Sequence, residues 1–239
     1  MTVRAVCFDL DGTLLSDEPL DEAILQASRE LAAHQPQIEP AQLASINRQV
    51  FLAGWRETEH AFIHGTISGD EISRRVWRMA LSALGFNDAA LTEIAFGVFS
   101  REVTAGYRLC DDALPILDAL GPRMPLALIT NGASDVQRRK LVATGIESRF
   151  AAVLVSGELG TPKPMASIFL RAAELLGVEP ANILHVGDSL EADVGGAMGA
   201  GMTAVWLNRD GRKRTACDPE PHHEIASLSE LAQLLERPA

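Results

Sequence analysis

The sequence predicts an α/β protein in which a doubly wound, mainly parallel sheet receives an all-helical insertion after its first strand. Three observations support this fold class. A short apolar segment lies near the amino terminus, a long stretch with only helical periodicity follows it, and short apolar segments then alternate with helical ones. Strands that alternate with helices are typical of βαβ units, which build a parallel sheet.

The first strand is the apolar segment at residues 3–8, and two carboxylates, Asp9 and Asp11, follow it directly. Because they are two residues apart, a continuing strand would direct both side chains to one face. Two carboxylates in such close proximity repel each other, and the pKa of one of them rises unless a cation lies between them. The pair therefore suggests a divalent metal, with one carboxylate left to attack or to transfer a proton. The alternative is an exposed Asp-Gly turn at the end of a strand.

Residues 18–101 show a helical pattern and no convincing strand. A single strand cannot be stable beside helices alone, so the first strand must join the later sheet. We expect hinges near Ser16-Asp17 and Gly106, a catalytic core of residues 1–16 and 105–239, and a helical domain of residues 17–104. The four predicted helices cover roughly residues 23–35, 40–51, 68–85 and 88–99.

The second half alternates strands with helices, which predicts a Rossmann-like core. In such sheets, ligands bind outside the carboxyl ends of the strands, so functional residues are expected just after the strands. The predicted strands are 125–130, 152–155, 183–186 and 203–207, and the predicted helices are 113–120, 134–144, 165–176 and 191–200.

Polar residues do follow these strands. Thr130 and Asn131 place a hydroxyl and backbone N–H groups at the start of a helix, where anions bind well. Lys163 lies between two prolines after the next strand. The alternative interpretation is that it is a solvated residue of that loop. Asp188 and Asp193 follow the strand that ends at residue 186.

The order and spacing of these residues resemble the haloacid dehalogenase (HAD) superfamily, whose members are mostly Mg²⁺-dependent phosphatases. The resemblance spans the whole chain, and the helical insertion corresponds to the family's cap. It implies that Asp9 is a nucleophile that forms an aspartyl-phosphate, and that Asp11 protonates the leaving alcohol and then deprotonates water. It also implies that Asp9, Asp188 and the backbone carbonyl of Asp11 hold Mg²⁺.

The resemblance further implies which residues hold the phosphoryl group. Thr130, the N–H of Asn131 and Lys163 would bind its oxygens, on which the charge of the transition state develops. Asp193 would orient Lys163 or complete the surroundings of the metal, and Thr13 would brace the loop.

Several reactions occur in this family. Haloacid dehalogenases need the nucleophile but neither the acid nor a metal, so Asp11, Asp188 and Asp193 favour phosphate and magnesium. Phosphonatases use a cap lysine, and no lysine occurs between residues 17 and 101. We expect a phosphoric monoester hydrolase. A hexose-phosphate mutase remains an alternative, as does a phospho-Asp switch or binding module without turnover, although such modules are about half this length.

The cap would select the substrate, a small phosphorylated metabolite that the sequence does not identify. Candidate contacts are Trp55, Arg56, His60 and His64, which we place in a polar stretch between helices. The alternative is that Trp55 belongs to the core and Arg56 to the surface. His185 is interpreted as a packed core residue.

Composition restricts the possible partners. A net charge of −11 argues against nucleic acid and against an anionic membrane surface. The three cysteines show no paired spacing, which favours a reduced, intracellular setting. There is neither a secretory pattern at the amino terminus nor an apolar run long enough to span a membrane. We expect a soluble, cytoplasmic protein whose oligomeric state is open.

Overall fold

The computed structural model of the chain describes residues 2–16 and 19–236. Its six-stranded sheet has the order β3-β2-β1-β4-β5-β6, and every neighbouring pair is parallel. The predicted parallel α/β fold is therefore confirmed. The strands are β1 Ala5–Phe8, β2 Leu126–Thr130, β3 Ala152–Val155, β4 Ile183–Gly187, β5 Thr203–Leu207 and β6 His223–Ile225.

Both faces of the sheet are buried. On β1, Val6 and Phe8 pack into one apolar cluster, whereas Ala5 and Cys7 pack into another on the opposite face. This alternation follows from the two-residue period of a strand, and burial of both faces explains why β1 is apolar along its whole length. The sixth strand was not predicted, because its three residues are mostly exposed and only Ile225 is buried.

The first four helices after β1 lie within residues 20–106, and we call them the helical insert. They share an apolar cluster of their own, with Leu43, Trp77 and Leu81 fully buried. Side chains cap three of their amino termini: Glu39 accepts from the N–H groups of Ala41 and Gln42, Ser68 from that of Glu71, and Asp88 from that of Ala90. The helices are α1 Leu20–His34, α2 Pro40–Ile63, α3 Gly69–Ala83 and α4 Ala89–Gly106.

One prediction within the insert is wrong. Trp55, Arg56 and His60 do not lie between helices, because α2 continues to Ile63, and His64 is its C-cap. The polar residues of this stretch form an exposed face of a long amphipathic helix, and the sequence-based interpretation took that face for a loop.

The remaining helices pack around the sheet. The predicted helix at 191–200 begins differently, as a six-residue π-helical segment, Leu190–Gly195, in which the carbonyl of Ser189 accepts from the N–H groups of both Asp193 and Val194. The α-helices are α5 Ala113–Leu120, α6 Ser134–Thr144, α7 Ser156–Leu159, α8 Ala166–Leu176, α9 Gly196–Gly199 and α10 Ser229–Glu236.

The two connections between sheet and insert run side by side. Leu15 and Leu109 form an antiparallel bridge, and the N–H of Ser16 donates to the carbonyl of Arg108 at 3.0 Å. Asp17, the other half of the predicted first hinge, lies outside the described residues. Within the described part of the chain, no helix combines the length and apolarity needed to cross a bilayer.

Candidate active site

The strand order brings the predicted residues together at one edge of the sheet. β1 lies between β2 and β4, so Asp9, Thr130 and Asp188, which end or directly follow these three strands, are neighbours. The loop after α7 brings Lys163 to the same place, where its Nζ lies 2.5 Å from Oδ1 of Asp9. The site is therefore built from four separate segments at the carboxyl edge.

Lys163 lies between two buried carboxylates. Its Nζ also donates to Oδ1 of Asp193 at 2.6 Å, and Thr13 donates its hydroxyl to Oδ2 of Asp9 at 3.3 Å. Asp9, Lys163 and Asp193 are all almost completely buried. Asp193 thus contacts the lysine that sequence reasoning expected it to orient, whereas the contact of Thr13 with Asp9 was not foreseen.

The side chain of Asn131 holds the backbone at Lys163. Its Nδ2 donates to the carbonyl of Lys163 at 2.9 Å, and its Oδ1 accepts from the N–H of Lys163 at 2.8 Å. Sequence reasoning considered only the backbone N–H of Asn131. The paired amide contacts fix the position from which the lysine reaches Asp9.

Asp193 has a third buried partner. The ring Nε2 of His185 lies 3.0 Å from Oδ1 of Asp193 and must donate, because an ionised carboxylate only accepts. Burial lowers the pKa of His185, which keeps the ring neutral despite the opposing effect of Asp193. The ring also packs edge-on against Phe169. His185 is a packed core residue, as predicted, and it orients Asp193 as well.

The site carries buried negative charge that a cation would neutralise. Burial raises the pKa of Asp9 to about 8, and the charges of Asp193 and Asp11 add to this effect while Lys163 opposes it. Burial, followed by the charge of Asp193, raises the pKa of Asp188. Burial lowers the pKa of Lys163, but its two carboxylate partners outweigh this effect and raise it overall.

The residues present fit a divalent cation. Oxygens of Asp9, Asp188 and Asp193 lie within 4.8 Å of one another, and hard cations such as Mg²⁺ prefer oxygen ligands. Gly12 has φ +75°, and a Cβ there would lie 2.9 Å from the carboxylate of Asp188. A glycine at this turn therefore leaves the space that the carboxylate occupies.

Thr130 supplies a hydroxyl with no partner among the described residues. The side chain is 1% exposed, and its Oγ1 makes no hydrogen bond. Buried hydroxyl groups are normally paired, so an unpaired one at a strand end requires an explanation. The N–H of Gly132, two residues later, is already occupied by the hydroxyl of Ser156 at 2.9 Å.

Asp11 points away from this cluster and contacts α6. Lys140 donates from Nζ to Oδ1 of Asp11 at 2.8 Å, and Gln137 donates from Nε2 to Oδ2 at 3.0 Å. Sequence reasoning missed both partners. Their only signal was the rarity of lysine and a spacing of three residues, which places both on one helix face.

A cavity of about 400 Å³ lies between the carboxyl edge of the sheet and the insert. Asp11, Gly12 and Asn131 line it from the sheet side, and Trp55 lines it from α2. Arg56, His60 and His64 are not among the described residues that line it. Arg56 and His60 are exposed, and the rings of His60 and His64 stack on each other at 4.0 Å.

Comparison with known proteins agrees with this geometry. The family described as haloacid dehalogenase-like hydrolase matches residues 3–201. The chain belongs to the haloacid dehalogenase-like hydrolase family.

Relatives and solved structures match the HAD chain over its full extent. It is 32% identical to N-acylneuraminate-9-phosphatase from Mus musculus, over 98% of this chain and 94% of that protein. It is also 32% identical to phosphoserine phosphatase from Thermus thermophilus, over 96% and 98%. A magnesium-bound crystal structure of the putative HAD-hydrolase YfnB from Bacillus subtilis is 28% identical, covers 99% of this chain and 100% of that one, and has a TM-score of 0.67. A 2-haloacid dehalogenase from Pseudomonas syringae pv. tomato is 29% identical, over 98% of both chains, with a TM-score of 0.70.

Proposed function

We propose that this HAD hydrolase is a Mg²⁺-dependent phosphatase that cleaves a small phosphomonoester through an aspartyl-phosphate on Asp9. The observation that carries the proposal is the buried Asp9–Lys163–Asp193 cluster, next to Asp188 and the unpartnered hydroxyl of Thr130. The relatives from mouse and Thermus are phosphatases, which supports phosphate ester hydrolysis. They do not favour a mutase or a switch module.

In the first step, a carboxylate oxygen of Asp9 attacks phosphorus. A bond from Asp9 to phosphorus forms as the ester bond from phosphorus to the alcohol oxygen breaks. Asp11 lines the cavity in which the alcohol would lie, so it can give its proton to the departing oxygen.

In the second step, water attacks the phosphorus of the aspartyl-phosphate. Asp11, now ionised, takes a proton from this water, and the carboxylate of Asp9 leaves. Inorganic phosphate and the free alcohol are the products, and both aspartates return to their initial states.

Donors at the site stabilise the phosphoryl group in both steps. Lys163 and the hydroxyl of Thr130 would bind its oxygens, and Asp193 with Asn131 would keep Lys163 in position. Asp9, Asp188 and the backbone carbonyl of Asp11 would hold the Mg²⁺ ion, which when bound supplies charge neutralisation for the nucleophile and the phosphate. The carboxylate of Asp193, which lies within the same oxygen cluster, would complete the surroundings of the ion.

The helical insert would act as a cap, residues 17–104, over a core of residues 1–16 and 105–239. Contacts between the two parts support this role. The carboxylate of Asp135 on α6 accepts from the N–H groups of Gly69 and Asp70 at the start of α3, at 3.0 and 2.9 Å, and Arg139 pairs with Asp70. These contacts close the cavity on the side of α6.

Phosphate release from a panel of phosphomonoesters, with Mg²⁺ and with EDTA, tests the proposal. We expect release that requires Mg²⁺, disappears in Asp9→Asn, and persists in Asp111→Asn, an exposed control. Release that is unaffected by EDTA would contradict the metal requirement. A stable acyl-phosphate on Asp9 without turnover would contradict the phosphatase itself.

A further inference from the structure

The cavity above Asp11 is larger than a phosphoryl group needs. Its volume of about 400 Å³ falls within the range of pockets that enclose whole organic ligands. The phosphoryl group would lie at the strand ends, so the cavity would receive the alcohol part of the substrate. Two buried polar atoms in its wall have no partner among the described residues.

On the basis of the proposed function, we infer that Asn47 is a specificity-determining residue and that the substrate is the phosphate ester of an uncharged, ring-bearing, hydroxylated alcohol. Nucleosides and sugars share this chemistry. Asn47 would donate to an acceptor on the alcohol, and Gln137 would accept from one of its hydroxyl groups.

Asn47 carries the first part of the inference. It lines the cavity from α2, its side chain is 3% exposed, and its Nδ2 has no hydrogen-bond partner among the described residues. A buried amide N–H without a partner is unfavourable, because it has lost its hydrogen bond to water. Rotation of the side-chain amide would bring Nδ2 to the cavity surface, where an acceptor on the ligand would replace this hydrogen bond.

Gln137 supplies the complementary atom. Its Nε2 donates to Asp11 and to the backbone carbonyl of Asn131, which fixes the amide and directs Oε1 as the acceptor. That Oε1 is buried and has no partner among the described residues. Because Gln137 contacts Asp11, a hydroxyl group close to the ester oxygen would be the natural donor, once a shift of the side chain exposes Oε1 to the cavity.

Aromatic side chains suit a ring. Phe51, Trp55 and Phe62 follow one another along the cavity wall, with centroid distances of 5.3 Å between the first two and 5.5 Å between the last two. Rings pack well against such surfaces. A two-carbon or three-carbon alcohol would leave most of this wall uncovered.

Cations in the wall already have partners, which favours an uncharged alcohol. Arg48 pairs with Asp21 at 2.9 Å, Arg139 with Asp70 at 2.6 Å, and Lys140 with Asp11 at 2.8 Å. A carboxylate on the alcohol part of the substrate would have to displace the acidic partner of one of these cations. The unpartnered atoms, in contrast, are one neutral donor and one neutral acceptor.

Steady-state kinetics on four esters test the inference: phenyl phosphate, uridine 5′-monophosphate, glucose 6-phosphate and phosphoserine. We expect kcat/KM to be at least about tenfold higher for the nucleotide or the sugar phosphate than for phosphoserine. The ratio of these two esters says which source of the ring the cavity prefers. Preference for phosphoserine would overturn the inference.

Asn47→Leu removes the donor and keeps a side chain that branches at the same carbon. We expect its KM for the preferred ester to rise at least about tenfold, and its KM for phenyl phosphate, which lacks the distal acceptor, to change far less. Gln49→Leu, an exposed amide on the same helix, is the matched control and should change neither. An equal loss on both esters, or no loss, would overturn the role of Asn47. Failure of every variant and the wild type to hydrolyse even phenyl phosphate would instead refute the phosphatase.

Discussion

The ammonium group of Lys140 lies 2.8 Å from Oδ1 of Asp11, although the two residues are 129 positions apart in the chain. Gln137 holds the other oxygen of the same carboxylate. Both partners lie on α6, the helix that follows β2 and its Thr130. One helix therefore positions the proposed proton donor beside the strand that presents the proposed phosphate ligand.

Replacing Lys140 by Met should disturb the position of Asp11 without removing it. We expect kcat to fall about tenfold to a hundredfold with a small change in KM, because proton transfer depends on where the carboxylate lies. Lys213→Met, at an exposed lysine, should leave both constants unchanged. An unchanged kcat in Lys140→Met would show that Asp11 does not depend on this contact.

Asp9→Asn should abolish turnover while the fold remains intact. The amide keeps the shape of the carboxylate but lacks its nucleophilic charge, so we expect a loss of more than about 10⁴-fold in kcat. Circular dichroism would verify the fold of the variant. Activity close to that of the wild type would refute the covalent mechanism.

The same variant should change how stability depends on pH in the metal-free protein. Burial raises the pKa of Asp9 to about 8, far above the value of an unfolded chain. Between about pH 4 and pH 8 the folded state therefore holds a proton that the unfolded state has lost, so this group's contribution to the unfolding free energy decreases as pH rises. Urea unfolding in EDTA should show a smaller decrease over this range for Asp9→Asn than for the wild type. Parallel curves would contradict the prediction.

Thr130→Val should separate activity from stability. The buried hydroxyl has no partner in the described structure, so its removal should leave the unfolding free energy unchanged or slightly higher. If the hydroxyl binds the phosphoryl group, kcat/KM should fall about tenfold to a hundredfold. Thr104→Val, which removes a hydroxyl that donates to the carbonyl of Ser100, should leave kcat/KM unchanged. A large loss of stability in Thr130→Val would indicate a structural role.

Asp135→Ala should weaken the contact between α6 and the helical insert. The carboxylate caps the amino terminus of α3, and loss of such a cap costs about 1 kcal/mol. We expect a higher KM and a larger radius of gyration by small-angle scattering. Asp88→Ala removes a comparable cap on α4 within the insert, and it should lower stability without either effect. Identical behaviour of the two variants would mean that the contact does not close the cavity.

Much of the fold follows from local patterns that the sequence displays directly. β1, β2, β3 and β5 are almost entirely apolar because the sheet buries both faces, so their positions are evident. Residues that follow these strands could be assigned to one site because parallel strands end at a common edge. β6 has no such pattern, since it borders the sheet and two of its three residues are exposed.

The site contacts that were missed are those that depend on tertiary packing. Lys140 and Gln137 look like ordinary residues of a polar helix, and only the docking of α6 brings them to Asp11. Nothing in the local sequence distinguishes Asn47 either, because its proposed role depends on a buried Nδ2 that has no hydrogen-bond partner among the described residues. The exposed polar face of α2 had the opposite effect, because its polar residues suggested Arg56 and His60 as substrate contacts.

The paired connections at Leu15 and Leu109 have a consequence for how such proteins diversify. Neighbouring antiparallel segments need only a short turn to join them, so the sheet loses little if what lies between them changes. Because the entropy cost of closing a loop grows slowly with its length, blocks of very different size can be inserted between these two connections. Under the proposed function, replacement of the inserted block would exchange the alcohol that is recognised and would leave the phosphate chemistry at the strand ends untouched.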